Sequence, residues 1–212
     1  MTKVFRQLCL FGFAVATPLA GQKQDPGHSL ITIKEIDAKL EKLASGYETV
    51  EGPLYDGKGH LLFTDIPNQR IWQLNLKSLE TTLFRDETGG ANGLAFDLRG
   101  RLLMCKQREK SLARLEEDGT ETVLLKPTRV GKNKKVYPVG VNDVVVDRKG
   151  RIYVTVPGAG SIYLLDSDGG NPRPVISGLK GPNGLMLSPD EKTLYVSEYK
   201  EQKLHAYEVD PQ

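Results

Sequence analysis

The sequence predicts an all-β protein with the architecture of a β-propeller, and three observations support this prediction. A pattern of two short apolar strands joined by a polar turn occurs four times along the chain. The copies begin at residues 51, 92, 142 and 183, which are 41, 50 and 41 residues apart. Glycine or proline occurs in the turns between the strands, and these residues disfavour long helices. A repeat of this length with several strands per copy is typical of propeller blades.

Each copy begins with a hairpin. An apolar strand is followed by a turn that contains aspartate, such as Asp97-x-x-Gly100 or Ser188-Pro189-Asp190, and then by a second apolar strand. Aspartate, glycine and proline favour tight turns because each either bonds to the local backbone or adopts the dihedral angles that a turn requires. The four hairpins occupy residues 51–65, 92–104, 142–155 and 183–197.

Further strands follow each hairpin. A third apolar strand is predicted at residues 70–74, 111–115, 161–165 and 203–209. An outer strand is predicted in three copies, at residues 80–84, 120–125 and 174–176. We therefore expect three four-stranded blades and a fourth blade that reaches Gln212 before its outer strand, so that the predicted propeller has about four blades and is incomplete.

The first 32 residues have the composition of a targeting segment. Lys3 and Arg6 precede an apolar run at residues 8–16, and small residues follow as far as the Ala20-Gly21 junction. This pattern predicts a signal peptide at residues 1–20 and a polar leader at residues 21–32, before a partial propeller at residues 33–212. The protein is then expected to be secreted or periplasmic, without membrane attachment after cleavage. A buried N-terminal strand or helix is the alternative interpretation.

Charge and cysteine content exclude several functional classes. The chain has 29 basic and 27 acidic residues and a formal net charge of +2. This balance does not suit a nucleic-acid-binding protein, which usually carries a basic surface. Cys9 lies in the predicted signal peptide, so Cys105 would have no disulfide partner in the mature chain. The three histidines do not have the spacing of zinc ligands.

Four polar residues begin the repeats. They are Glu51, Asn92, Asn142 and Asn183. The first strand of a propeller blade lines the central channel, so these side chains are expected to converge on the axis. Carboxylate and amide oxygens suit a hard divalent cation such as Ca²⁺, Mg²⁺ or Mn²⁺. The alternative is that the Asn-Gly and Asn-Asp pairs simply form turns.

Four motifs resemble those of a known family. They are VEGP at residues 50–53, FTDIPNQRIW at 63–72, VNDVVVD at 141–147 and GPNGL at 181–185. In this order and spacing they are similar to the motifs of the gluconolactonase/SMP-30 (regucalcin-like) family. The resemblance runs from about residue 43 to residue 211.

The resemblance implies a six-bladed propeller with one divalent metal ion at the channel mouth. Glu51, Asn142 and Asn183 match three of the family's protein ligands. Ca²⁺ is the first expectation for the ion, with Zn²⁺, Mg²⁺ or Mn²⁺ as alternatives. The fourth ligand, an aspartate that also acts as general base, is expected beyond residue 212, so the catalytic base of this chain is unknown. Without it we expect weak metal binding and little turnover.

The resemblance also implies a small-molecule substrate, a sugar lactone that is hydrolysed to a hydroxy acid. Asn92 matches no ligand and is expected to line the channel. We take it, with Arg129 and Tyr137, as a candidate substrate-binding residue. The alternative for Arg129 and Tyr137 is a position in a solvated loop.

Two other interpretations remain open at this stage. The first is a propeller that binds a ligand or a partner without catalysis, in which a carboxylate at Glu51 would have no function. The second is that the chain is a fragment of a longer family member. The oligomeric state, the particular lactone and the particular ion are not predicted.

Overall fold

The structure is a computed structural model that describes residues 41–126, 129–130, 135–136 and 140–210. The predicted signal peptide, the polar leader and Tyr137 lie outside these residues. The described strands all belong to the compact unit that begins at Gly46. Within the described residues no helix is long and apolar enough to cross a membrane, and the one helical element is a 3₁₀ turn at Pro157–Ala159.

The described residues form the predicted blades. The first blade contains β1 (Val50–Tyr55), β2 (His60–Asp65), β3 (Arg70–Asn75) and β4 (Thr81–Arg85). The second contains β5 (Ala91–Phe96), β6 (Leu102–Lys106), β7 (Ser111–Leu115) and β8 (Glu121–Leu125). A short ribbon follows, with β9 (Arg129–Val130) and β10 (Lys135–Val136). The third blade contains β11 (Val144–Val146), β12 (Ile152–Val156), β13 (Ser161–Leu165) and β14 (Arg173–Ile176). The fourth contains β15 (Pro182–Leu187), β16 (Thr193–Glu198) and β17 (Lys203–Glu208).

Each blade is an antiparallel sheet in which the strands pair in chain order. The all-β propeller prediction is confirmed, with four blades in the described residues. The ribbon formed by β9 and β10 was not predicted. It accounts for the longer spacing between the second and third copies, because it is inserted between β8 and the first strand of the third blade.

The first hairpin turn of the first three blades is closed by an aspartate. One carboxylate oxygen accepts hydrogen bonds from the backbone N–H groups two and four residues later, at 2.7–3.0 Å. The other oxygen pairs with the side chain of the residue four positions on. The pairs are Asp56 with His60, Asp97 with Arg101, and Asp147 with Arg151. The sequence spacing Asp-x-x-Gly, followed directly by histidine or arginine, thus positions both strands of the hairpin.

The core consists of apolar clusters between neighbouring blades. Leu62 and Ile71 of the first blade pack with Leu94 and Met104 of the second. Two similar clusters join the second blade to the third and the third to the fourth. Burial of these alternating side chains holds the blades face to face, because a single sheet cannot bury both of its faces.

A β-bulge lies at or just before the start of every inner strand, and in each bulge two consecutive residues face one residue of the second strand. The bulges are Glu51-Gly52, Asn92-Gly93, Asn142-Asp143 and Asn183-Gly184. In the third blade, for example, Thr155 O accepts a bond from Asn142 N, while Thr155 N donates to Asp143 O. Bulges bend a strand and redirect its side chains. The predicted polar residues are therefore the first residues of four equivalent bulges.

Neighbouring bulges are in direct contact. A Cβ atom on Gly52 would lie 2.0 Å from Asn92 O, and one on Gly93 would lie 2.3 Å from Asp143 Oδ1. Gly93 N also donates a hydrogen bond to Asn142 O at 2.9 Å. We call this series of contacts between the four bulges the bulge belt. It requires glycine at Gly52 and Gly93 because no side chain fits between the two backbones.

Asp143 replaces the glycine of the other three bulges. Its Oδ1 accepts a bond from Val144 N at 2.9 Å, and its Oδ2 accepts one from Leu185 N of the fourth blade at 3.1 Å. The pKa of Asp143 is raised from 3.8 to about 6, because burial, together with the nearby Glu51 carboxylate, outweighs the lowering effect of these two bonds. This carboxylate connects the third blade to the fourth.

We predict that Gly93→Ala destabilises the protein and that Gly140→Ala does not. A Cβ on Gly93 would lie 2.6 Å from Asp143 Cα, a backbone atom that cannot rotate away, whereas a Cβ on Gly140 would have no atom of the described residues within 4 Å. We expect the free energy of unfolding of Gly93→Ala to fall by about 2 kcal/mol. Urea unfolding followed by Trp72 fluorescence measures the difference, and equal stability of the two variants would contradict the close approach.

We predict that Asp143→Asn changes the pH dependence of stability. The folded-state pKa of Asp143 is raised, so its ionisation opposes folding as the pH rises from about 4 to above 6. Relative to Asp143→Asn, the wild-type protein should lose about 3 kcal/mol of unfolding free energy over this range. Asparagine has one side-chain oxygen and can accept only one of the two hydrogen bonds from Val144 N and Leu185 N. This loss lowers the free energy of unfolding of the variant by an amount that does not depend on pH. If the free energies of unfolding of the two proteins changed in parallel with pH, the pKa of Asp143 would not be raised in the folded state.

Candidate functional site

A cavity of about 370 Å³ opens at the end of the blades where the bulge belt lies. Asn142 and Asn183, two of the predicted ligands, both line it. Three turns that follow the second strand of a blade complete the wall, and they contribute Gln107 from the second blade, Pro157 and Gly158 from the third, and Tyr199 and Lys200 from the fourth. The structure thus brings two of the predicted residues and three neighbouring turns to one opening.

The bulges position the two asparagines through their backbones. Asn142 N donates to Thr155 O at 3.0 Å, and Asn142 O accepts from Gly93 N. In the fourth blade, Gly184 N donates to Ser197 Oγ at 2.9 Å. Neither asparagine side chain forms a hydrogen bond with another residue in the part of the chain that the structure describes. Both amides are therefore available to a molecule in the cavity.

Glu51 occupies the equivalent bulge position in the first blade. It is partly buried, and burial raises the pKa of its carboxyl. No cation of the described residues pairs with it. The Glu51 carboxylate is near enough to the third bulge to raise the pKa of Asp143. Glu51 is not one of the residues that line the cavity. A carboxylate that is partly buried without a cationic partner is a favourable ligand for a metal ion.

The three predicted substrate-binding residues have different outcomes. Asn92 is 5% exposed and is not among the cavity residues, and its carbonyl oxygen accepts a bond from Thr64 Oγ1 at 3.2 Å. Arg129 begins the short strand β9, for which only the backbone is described. Tyr137 lies outside the described residues.

Sequence analysis missed four residues of this region, namely Asp143, Gln107, Tyr199 and Lys200. The repeat contained the signal for all of them. When the four bulges are aligned, the second position is glycine in three of them and Asp143 in the other. The other three missed residues directly follow the second strand of a blade. Because the second strand runs antiparallel to the first, it ends beside the start of the first strand, where the predicted ligands lie.

The chemistry available at the site is that of oxygen donors. Asn142, Asn183 and Glu51 provide two amide oxygens and a carboxylate, which suit a hard divalent cation. Among the described residues no group of three or more His, Cys, Asp or Glu side chains could hold a metal ion, so a cation here would depend on the amides. Cys105 is fully buried, and burial raises the pKa of its thiol well above the ordinary value, so it cannot act as a nucleophile at neutral pH.

Comparison with known proteins agrees with this architecture. The family model described as "SMP-30/Gluconolactonase/LRE-like region" matches residues 49–212. The lactonase drp35 of Staphylococcus saprophyticus is 27% identical over 175 residues, which cover 76% of this chain and 51% of that protein. The chain therefore spans about half the length of this curated relative.

Two solved structures extend the comparison. A gluconolactonase of Xanthomonas campestris has a TM-score of 0.68 and 27% identity, and the alignment covers 79% of this chain and 61% of that one. A calcium-binding regucalcin of Agrobacterium tumefaciens has a TM-score of 0.61 and 20% identity, with coverage of 79% and 57%. The second similarity is one of fold. With four blades in the described residues and a family match over most of its length, the chain belongs to the SMP-30/gluconolactonase/LRE-like family.

Proposed function

We propose that the protein takes part in the hydrolysis of a sugar lactone with the help of a divalent cation. One observation carries this proposal: Asn142 and Asn183, which the family resemblance marks as ligands, open on the same cavity with free side-chain amides. The similarity to a lactonase and to a gluconolactonase supports a lactone as substrate. The oxygen donors of Glu51, Asn142 and Asn183 support a hard divalent cation, with Ca²⁺ as the first candidate.

In this proposal Glu51, Asn142 and Asn183 hold the cation. Their oxygens match the preference of Ca²⁺, Mg²⁺ and Mn²⁺, and the cation would offset the unfavourable burial of the Glu51 carboxylate. A bound divalent cation supplies a Lewis acid for an ester carbonyl. The protein's own residues provide the shape of the site and the orientation of the substrate.

The walls of the cavity suit a small polar ring. Val141, Pro157 and Pro182 provide apolar surface, while Gln107 and Tyr199 provide groups that can bond to hydroxyls. Asp143 is unsuited to act as general base, because both of its oxygens accept backbone hydrogen bonds. No carboxylate lines the described cavity, so the proposal assigns the base to none of these residues.

We predict that hydrolysis of glucono-1,5-lactone by the purified protein requires an added divalent cation and is abolished by EDTA, and that it is slow because none of the described cavity residues serves as general base. Asn183→Ala should lower kcat/KM at least about tenfold, since it removes a ligand to the cation. Asn68→Ala, in an exposed turn of the first blade, is the matched control and should retain activity. Proton release measured separately with Ca²⁺, Mg²⁺, Mn²⁺ and Zn²⁺ provides the test. A folded protein that hydrolyses no lactone with any of these ions would favour a propeller that only binds ligands.

We predict that Glu51→Gln weakens cation binding without destabilising the protein. Because burial raises the pKa of Glu51, the neutral glutamine should give an equal or higher melting temperature in EDTA. Addition of Ca²⁺ should raise the melting temperature of the wild type and raise that of Glu51→Gln much less. Glu48→Gln removes the same charge from an exposed position three residues away and should respond like the wild type. An equal Ca²⁺ response in Glu51→Gln would exclude Glu51 as a ligand.

A further inference from the structure

Lys200 is held at the wall of the cavity beside Asn183. The turn that contains it is joined to the start of β15, because Tyr199 N donates to Gly181 O at 3.0 Å and Lys200 N donates to Lys180 O at 3.3 Å. The aliphatic part of Lys200 lies over Gly181, where a Cβ atom would be 3.3 Å from Lys200 Cγ. The side chain is thus supported along its stem, and its ammonium group remains exposed.

The acidic residues around Lys200 pair with other groups. Glu198 accepts bonds from Lys180 N and from His205 Nε2, the second at 2.7 Å. Glu201 pairs with Lys180 Nζ at 2.5 Å and with Lys203 Nζ at 3.5 Å. Lys200 forms no ion pair with any residue in the described part of the chain. Its charge is therefore not neutralised locally.

The described residues that line the cavity carry no negative charge to balance Lys200. Of the described residues that line it, Lys200 is the one that is ionised at neutral pH, and the others are amides, glycines, prolines, a valine and a tyrosine. The other described residues that line the cavity are uncharged, so none of them reduces the field of Lys200. A ligand in the cavity would experience the positive charge of Lys200 at one end, in addition to the charge of the proposed cation beside Asn142 and Asn183.

We propose that the cavity selects a sugar lactone that bears a carboxylate, with Lys200 as the residue that determines this specificity. This inference rests on the proposed lactone hydrolysis and names the substrate class for the same site. The Lys200 ammonium can pair with a carboxylate as a point charge. Arginine is over-represented where a phosphate is bound through two parallel hydrogen bonds, and no arginine is among the described residues that line the cavity.

The test compares two lactones that differ in one group. D-glucaro-1,4-lactone carries a carboxylate where D-glucono-1,4-lactone carries a hydroxymethyl group. Binding of each to the full chain is measured by ligand-observed NMR, with Ca²⁺ present, so that the result does not depend on turnover. We expect the wild type to bind the glucaro-lactone about fivefold more tightly at low salt, and this preference should decrease in 0.5 M NaCl.

Three variants assign the preference to Lys200. Lys200→Gln should bind both lactones equally, and Lys200→Arg should keep the preference. Lys192→Gln, which removes the same charge from an exposed turn at the other end of the fourth blade, should behave like the wild type. Equal binding of the two lactones by the wild type, no binding of either, or a preference that persists in Lys200→Gln would each overturn the inference. A phosphorylated gluconolactone that binds more tightly than the glucaro-lactone would also overturn it.

The outcomes separate this inference from the proposed function. Hydrolysis of both lactones without a charge preference would support lactonase activity and refute the role of Lys200. A charge preference that depends on Lys200, without hydrolysis of any lactone, would refute lactonase activity and support a site that binds carboxylated lactones.

Discussion

The arrangement of the blades depends on the contact between neighbouring β-bulges. Backbone meets backbone at Gly52 and Gly93, and the partly buried carboxylate of Asp143 accepts a hydrogen bond from the backbone N–H of Leu185. These contacts determine how the inner strands lie next to one another, and the apolar clusters then fill the space between the sheets. The same bulges present Glu51, Asn142 and Asn183, so the geometry of the candidate site follows from the joints that hold the propeller together.

The strands could be predicted because the information that defines them is local. Each hairpin contains its own turn residues and its own alternation of apolar side chains, and the repetition of the pattern removes most of the ambiguity in assigning any one strand. The outer strand of the third blade, predicted at residues 174–176 and found at Arg173–Ile176, illustrates this agreement. The ribbon between the second and third blades has no counterpart in the other copies, so the repeat could not predict it.

The candidate site was only partly predictable because it depends on contacts between blades. Asn142 and Asn183 were recognised from their position in the repeat, and the structure places them on one cavity. Asn92 occupies the same position in its own copy but is buried, since Thr64 and the neighbouring bulge enclose it. Equivalent positions along a repeat therefore do not guarantee equivalent exposure. The roles of Asp143 and Lys200 depend on which groups surround them, and a single sequence does not specify those neighbours.

The aspartate turns of the first three blades have a consequence for how the chain acquires its structure. Each joins residues that are four positions apart, so it can form as soon as that short segment is available. The strands within a blade likewise pair in chain order. Contacts of such short range cost little loop-closure entropy and form rapidly. During synthesis the turns and strand pairs of a blade can therefore begin to form as that segment leaves the ribosome, whereas burial of the apolar faces has to wait for the next blade.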